Sequence, residues 1–536
     1  MNLITSPWLP VLDEIGAVSW RAPVDLSGPG PRALAYPRPD FNAGVTEFLI
    51  GLMTVAFWPS RPSDWRRRWE MPPTADELAA QLEPLAPHFE LFGDGPRAFQ
   101  DLDPLADDDP RDIALLLIDA PGENALTRNT DHFVKRGVAA ALSPAHAAAA
   151  LITLQTYAPS GGAGHRTSLR GGGPLTTLVH PTQRPDLWAF IWANVELQTR
   201  PPPDDWADVF PWLAPCRTSG DMAAPTGPDD IHPAQAFFAT PRRIRLGEIE
   251  AGACALGGPG NAVVTSYRTR NYGVNYVGVV HPLSPHRTDK ASGLQLALHP
   301  RASAPGYRDW LSVWGRDTDA GQTAAGVTRG EGARHLGAAT PIGWDIEAWG
   351  YALDNMKPLA WYQARVPVFQ VADTLADAFY ANARLLVAAA EEADRALQRA
   401  VRLALMGVWR LDQKTGQQRL TLPDGVKFDL TADLGADFWR QSEDAFCKCL
   451  NDLAQAPADA DLKVRAHWLN QLRGHARQLF GLRLGDFDAA IDDPKRYAEA
   501  VRGLGLAFAP GASVAKALNL PKPEKPKLKP KKGGAV

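Results

Sequence analysis

At 536 residues the chain is too long for one hydrophobic core and divides into at least two domains. Its 45% hydrophobic and 22% charged content is that of a globular protein, and a net charge of −4 excludes a uniformly basic nucleic-acid binder, so any phosphate-contacting surface must concentrate its cations locally. Cys216, Cys254, Cys447 and Cys449 form no CxxC pair and no even framework, which excludes a cysteine zinc site and a disulfide scaffold and points to a reducing compartment. The opening MNLITSPWLP has neither a basic start nor a long apolar run. Residues 49–58 and 113–118 fall short of the ~20 apolar residues of a membrane span, so no membrane partner and a cytoplasmic location are expected.

In chain order, residues 2–5 read as a short strand before a segment rich in turn formers. Phe48, Leu49, Leu52, Val55 and Ala56 recur at helical spacing and predict a buried helix over 45–58. Residues 65–69, Trp-Arg-Arg-Arg-Trp, suit a grip on a phosphate backbone, or more simply an exposed helical face whose arginines lie along two indoles. Thr74 and Glu77 at capping-box spacing open a helix over 74–83 that Pro84 stops. Residues 89–91 read as a strand, the acidic run 105–110 as a solvated loop, and 113–118 as a short buried strand. The polar stretch that follows holds Asn124, Thr127, Arg128, Asn129 and His132, donors suited to an unpaired RNA strand, with Phe133 able to stack on a base. An ordinary polar loop fits the same residues.

An Ala-rich helix over 144–156 delivers the chain to residues 160–174, SGGAGHRTSLRGGGP. Six glycines in these fifteen positions leave backbone bare of side chains, while His165, Arg166 and Arg170 add cationic reach, a combination suited to phosphate or base edges. Neither GxxxxGK[ST] nor GxGxxG spacing is present, so this is not a nucleotide loop of either standard kind. Residues 175–179 leave as a strand, 188–197 form a helix with Trp192 and Leu197 inward, and 242–246, 294–298 and 310–314 are strands. From residue 373 the pattern changes. Leu375, Phe379, Leu386, Ala390, Ala393, Leu397, Val401 and Leu405 trace one stripe through an unusually long helix. Residues 433–453, 461–480 and 494–501 add three more helices, bounded by Pro457, Gly481 and Pro494. His467 and His475 lack carboxylate or thiolate company and read as surface residues rather than a metal site.

The fold class expected is α+β: a large irregular mixed α/β domain over 1–367, a four-helix bundle over 368–516, and a disordered Lys/Pro-rich tail over 517–536.

The order of several pieces carries a resemblance. The glycine loop with Ser168-Leu169-Arg170-Gly171-Gly172 is followed by Tyr267-Arg268-Thr269-Arg270-Asn271-Tyr272-Gly273, His281-Pro282-Leu283-Ser284-Pro285, and Gly350-Tyr351 leading to Asp354-Asn355-Met356-Lys357 and Trp361-Tyr362. With Trp8-Leu9-Pro10-Val11 at the start and Phe438-Trp439-Arg440-Gln441-Ser442-Glu443 near the end, this resembles the CasA family, the large subunit of the type I-E CRISPR Cascade complex. The resemblance implies a binding subunit, not an enzyme, without cofactor or metal. Its implied partners are crRNA, double-stranded target DNA, the backbone, small and crRNA-processing Cascade subunits, and a helicase-nuclease effector. Guide pairing would read the sequence while this subunit reads only a short flanking motif.

Residue by residue, the resemblance places Gly161, Gly162, Ala163 and Gly164, with His165 and Arg166, in the minor groove, and Arg268 or Arg270 as a cationic finger in the same groove. It places Asn355, with Met356 and Lys357, as a wedge that parts the first base pair. Two departures stand out: Asn355 is shorter than the glutamine some relatives carry there, and Cys254 stands alone where others hold zinc through cysteine pairs. A rival reading is a nucleotide-dependent enzyme with the Gly-rich loop on phosphate, but a Walker lysine, paired carboxylates and a nucleophile with its base are all missing. A protein-only scaffold is the other.

Overall fold

The longest buried element of the first half is helix α1, Pro39–Phe57, started by Pro39 in its first turn and ended at Trp58, whose φ is 42°. It begins six residues before the predicted start and is buried on nearly every side, so its length and apolar composition, enough to cross a membrane, serve a protein core instead. The computed structural model describes residues 1–28, 30–121, 127, 137–162, 164–220, 224–300, 307–310, 321–339, 343–369, 371, 373–413, 416–425, 432–455, 461–485 and 492–522. It forms two compact units, Met1–Ala302 with Ser312–Val368, and Ser303–Leu311 with Phe369–Val536.

In the first unit, short helices and small sheets surround α1. α2 (Pro62–Glu70) and α3 (Ala75–Leu82) follow it, the latter opened by the Thr74–Glu77 capping box. In α2, Trp65 and Trp69 are buried and stacked, with centroids 5.6 Å apart, while Arg66 and Arg68 pair with Glu331 and Glu77, so the triplet is a helical surface. α4 (Pro144–Tyr157), capped by Ser143, packs along α1. A Cβ on Gly44 would lie 2.8 Å from Thr153 Oγ1, so a bare backbone is what lets the two helices meet.

β1 (Leu9–Asp13) pairs with β2 (Val18–Arg21) and β3 (Pro31–Leu34). β4 (Arg111–Asp112), β6 (Arg243–Leu246) and β9 (Ser266–Arg270) form a second antiparallel sheet with β9 in the middle. β5 (Thr176–Pro181) flanks a long hairpin of β13 (Trp344–Asp354) and β14 (Lys357–Pro367), backed by α5 (Leu187–Ala193). β7 (Ile249–Ala251) pairs with β8 (Ala262–Val264), and β10 (His286–Thr288) lies between β11 (Gln295–Ala297) and β12 (Gln322–Thr323). α6 (Glu331–Ala339) precedes β13. Phe48, Phe89, Phe99, Phe210, Trp212 and Phe238 form an aromatic core beneath α1.

In the second unit, α7 (Asp373–Met406) runs 34 residues and packs against α8 (Ala432–Gln455), α9 (Asp461–Gly485), α10 (Pro494–Ala507) and the short α11 (Ser513–Ala517). Phe379, Leu386, Ala390, Ala393, Leu397 and Val401 of the predicted stripe are buried, while Leu375 and Leu405 at its ends are partly exposed. The indole of Trp439 donates to Asp394 (3.1 Å) and that of Trp468 to the Leu386 carbonyl (2.9 Å). Each buried N–H is thereby satisfied.

Several expectations change. Residues 2–5 form a turn with one bridge from Asn2 to Glu90, because the Asn2 side chain accepts from the amides of Ile4 and Thr5. Residues 113–116 are a 3-10 turn rather than a strand, capped by Asp112. The helix expected over 188–197 stops at Ala193, where Asn194 turns its side chain back to Phe190. Trp310 belongs to a helical turn whose Tyr307 stacks on Phe446, with centroids 4.2 Å apart, in the second unit; of the strand expected over 310–314, the rest lies outside the described residues. Gly481 does not end α9, which continues to Gly485. A hairpin that the sequence reading did not anticipate, β15 (Val408–Leu411) with β16 (Gln418–Thr421), joins α7 to α8. The acidic run is not simply solvated, since Leu105 is buried and Asp108 is ion-paired.

Candidate nucleic-acid interface

The glycine segment leaves α4 at Ala158 and closes at its neck, where Ser168 N donates to Ala158 O (3.1 Å) and Gly173 N to Tyr157 O (3.0 Å). Gly161 and Gly162 are exposed at the tip. Gly162 has φ 97° and open space where a Cβ would stand. Gly164, φ 81°, has none: a Cβ there would lie 2.7 Å from Asn271 Cβ, and its carbonyl accepts from Tyr272 N at 2.8 Å. Only glycine meets both demands. Ala163 lies outside the described residues.

The loop's cations do not extend outward as expected. Arg170 is buried, and its guanidinium donates to Glu47 (2.6 Å), Thr176 (2.9 Å) and Ser284 (2.9 Å) while lying over the Tyr157 ring. Glu47, on α1, also accepts from Thr176 (2.6 Å), Trp349 (3.3 Å) and the Tyr157 hydroxyl. A buried charge is tolerable only when so fully paired, and Arg170 therefore anchors the loop rather than reaching from it. Arg166 donates to the Ser219 hydroxyl and carbonyl, both at 2.7 Å. Beneath them Arg242 donates to the carbonyls of Arg166 (3.1 Å) and Pro159, and burial lowers its pKa to about 10. Burial, with Arg242 and Arg111 nearby, lowers His165 to about 4, so its ring is neutral at pH 7. At Gly161 and Gly162 what the loop presents outward is peptide backbone.

β9 runs beside it. Arg268 and Arg270, two apart, share one face of the strand. Arg268 donates to the Asp108 carbonyl at 3.0 Å. Arg270 pairs with Asp108 (2.6 Å) and Asp103 (2.8 Å). The strand then turns through Asn271 and Tyr272, which are the residues touching Gly164.

The β13–β14 hairpin approaches from the other side. Asn355 and Met356 are the two central residues of its turn, with φ 46° and 63°, and Asp354 faces Lys357 across it. Positive φ at both positions is the signature of a type I′ turn. Asn355 is therefore at a hairpin tip, and Asn355, Met356 and Lys357 are all exposed. The tip leans on the glycine segment: a Cβ on Gly172 would come within 3.1 Å of both Leu353 and Met356, and one on Gly173 within 2.5 Å of the Tyr351 carbonyl. The glycine loop, the end of β9 and the hairpin tip thus form one surface from three distant parts of the sequence.

Of the residues expected to contact RNA, Thr127 is described and exposed, whereas Asn124, Arg128, Asn129, His132 and Phe133 lie outside the described residues. Among the described residues no group of three or more His, Cys, Asp or Glu is placed to hold a metal ion. Cys254 instead meets His146 Nδ1 at 3.2 Å. Partial burial alone would raise this thiol, but the His146 ring and the backbone of Ser143, Leu256 and Gly258 bring it down to about 6. Sequence reasoning did not find Glu47, Ser219, Arg242, Asp103 or Asp108, since each acts through a partner remote in sequence.

The CRISPR-associated protein Cse1 family matches residues 2–479. No curated protein matches. Among solved structures, Cse1 from Acidimicrobium ferrooxidans superposes with a TM-score of 0.67 at 19% identity, over 97% of this chain and 99% of that one. CasA (Cse1) from Thermus thermophilus gives 0.66 at 18%, over 97% and 99%. A chain of a CRISPR RNA-guided surveillance complex gives 0.64 at 15%, over 95% and 99%. At these identities the likeness is one of fold.

Proposed function

The chain belongs to the CRISPR-associated protein Cse1 family, and on that premise we propose that it is the non-catalytic subunit of a cytoplasmic, RNA-guided type I-E Cascade complex that reads the protospacer-adjacent motif in double-stranded DNA. In this role it helps open the duplex for R-loop formation and offers a docking surface to a helicase-nuclease. The likeness to a chain of an RNA-guided surveillance complex supports the assembly. The observation that carries the DNA reading is the convergence of three elements: Gly164 against Asn271 and Tyr272, and Gly172 against Met356.

Each element suits a different part of the task. Bare backbone at Gly161 and Gly162 can approach minor-groove base edges that a side chain would hold away. Arg268 and Arg270 lie on the flank where a phosphate strand would pass. Asn355 and Met356 stand at the tip, where a wedge meets the first base pair, with Lys357 beside them for the adjacent phosphate. The polar segment containing Asn124, Thr127, Arg128, Asn129, His132 and Phe133 is assigned to the guide RNA. A phosphate-binding enzyme fits less well, because Arg166 and Arg170 are already committed to Ser219 and Glu47.

Gly162→Asn tests the reading. Asn enters positive φ more readily than most residues, and nothing lies within 4 Å of the new Cβ, so the strain at φ 97° stays local to an exposed tip while a side chain covers it. In the assembled complex, binding to a duplex carrying the motif should fall about tenfold or more, the equivalent of ~1.4 kcal/mol, with stability lowered by no more than about 1–2 kcal/mol. Wild-type discrimination between flanked and unflanked duplexes would refute groove entry by this loop.

A further inference from the structure

Beside the glycine loop, a cleft of about 570 Å³ is lined by Asp108, Arg111, Arg243, Thr269, Arg270 and Tyr272, among others. Three guanidinium groups around an open cleft make a seat for a doubly oxygenated anion. Carboxylates already occupy part of it. Asp108 and Asp103 pair with Arg270 at 2.6 and 2.8 Å, and Asp103 and Asp101 with Arg243 at 3.3 and 2.5 Å.

These carboxylates are not held equally. Asp101 is buried, with 1% of its side chain exposed. Asp103 is exposed to 40%, but its other oxygen accepts from the Leu105 amide at 2.8 Å. That amide first, with Arg270 and Arg243, holds its carboxyl below the usual range against partial desolvation. Asp108 differs: only Arg270 is bonded to its carboxylate in the described structure, while its backbone alone fixes the loop, the amide donating to Leu105 O (3.1 Å) and the carbonyl accepting from Arg268 (3.0 Å). Its side chain can therefore swing off Arg270 without unfolding the loop.

We propose that the Arg111–Arg243–Arg270 cleft is a seat for a backbone phosphodiester of duplex DNA, and that the Asp108 carboxylate is its resident counter-anion, displaced when DNA enters. The proposal rests on the DNA-reading role above and adds to it a site and a negative element. Arg270 donates Nε–H to Asp108 Oδ2 at 2.8 Å, with Nη2 2.6 Å from the same oxygen, and a single phosphate oxygen could take that oxygen's place. DNA must compete with an intrachain carboxylate for that guanidinium, which weakens every duplex equally, since a phosphate carries no base information. The protein thus holds back a sequence-blind contact.

The test uses the full chain in its assembly with two labelled duplexes, one carrying the flanking motif and one with the flank changed. Asp108→Asn keeps both backbone bonds and removes only the charge. It should bind both duplexes about two- to fivefold tighter, the range of a partly exposed ion pair, and its plot of log affinity against log salt should steepen by up to about 0.9, because in wild type the displaced Asp108 gathers a cation and offsets one of those the DNA releases. Arg270→Gln should weaken both, and the double variant should match Arg270→Gln, since without the guanidinium there is nothing to mask. An Asp108→Asn complex with wild-type affinity and slope overturns the proposal. So does an equal gain in the Arg270→Gln background, or a gain confined to the flanked duplex. Loss of the parent reading appears elsewhere, as retained discrimination by Gly162→Asn, whatever Asp108→Asn does.

Discussion

Met356→Gly separates strain from function at the hairpin tip. A type I′ turn calls for residues that accept positive φ at both centres, and Asn-Gly is its preferred pair. Asn355 complies, but Met356 holds φ 63° with a side chain that is 46% exposed. The left-handed conformation costs a methionine about 1–2 kcal/mol relative to glycine. Against that, a fully buried methionine is worth about 1.5–3 kcal/mol, so the roughly half-buried side chain resting near Gly172 contributes ~1 kcal/mol. The terms nearly cancel, and the variant should melt within about 1 kcal/mol of wild type, with unchanged hydrogen exchange along β13 and β14. Opening of the first base pair should slow by about tenfold, because an apolar wedge offsets unstacking worth a few kcal/mol. A fluorescent base analogue at that pair, followed by stopped flow, reads the step, and Met356→Leu should keep most of the rate. Wild-type opening by Met356→Gly refutes the wedge. A stability loss above about 2 kcal/mol refutes the reasoning about the turn.

Two further outcomes follow from titratable groups. Burial, only partly offset by Arg329 and Arg334, raises Glu196 to about 7, so its contribution to stability is fully present below the unfolded carboxyl value and is lost as pH rises to about 7; Glu196→Gln should gain on wild type by about 2–3 kcal/mol between pH 5 and 8, and a pH-independent difference in melting would sink this. Cys254, held near 6, should be carboxamidomethylated by iodoacetamide at pH 7 well before Cys216, which burial raises to about 11, or Cys447 and Cys449, raised to about 12; peptide mass mapping that finds Cys254 no faster than Cys216 would exclude the His146-supported thiolate.

What the sequence made legible was local. The stripe from Phe379 to Val401 predicts α7 because a 3.6-residue period needs only neighbours, and Thr74 with Glu77 announces α3 because a capping box spans a single turn. The glycine loop was visible for the same reason. What failed were the readings of charged side chains whose partners lie far away in the sequence. Arg170 looked free because nothing in residues 160–174 is acidic, whereas its carboxylate, Glu47, arrives from α1 more than a hundred residues earlier. The acidic run looked solvated because Arg268 and Arg270 lie about 160 residues downstream. The order of the motifs conveyed that the loop, β9 and the tip belong together, but not that they touch.

Backbone strain gathers at the proposed interface, and this can be seen without any resemblance. Seven non-glycine residues among those described have positive φ: Trp58, Phe99, Leu105, Tyr272, Asn355, Met356 and Asn519. Tyr272 bonds Gly164, Asn355 and Met356 form the tip, and Leu105 shapes the acidic loop over Arg270, so four of the seven serve this one surface. Each costs of order 1–3 kcal/mol and persists only where the surroundings over-determine it. Here they do: Leu105 is buried, Tyr272 is tied by its amide, and the tip is pinned by the long β13–β14 ladder. A tyrosine and a methionine thus hold positive φ, 40% and 46% exposed, beside bare backbone, which is where the proposed contact with another molecule's stacked rings would need them.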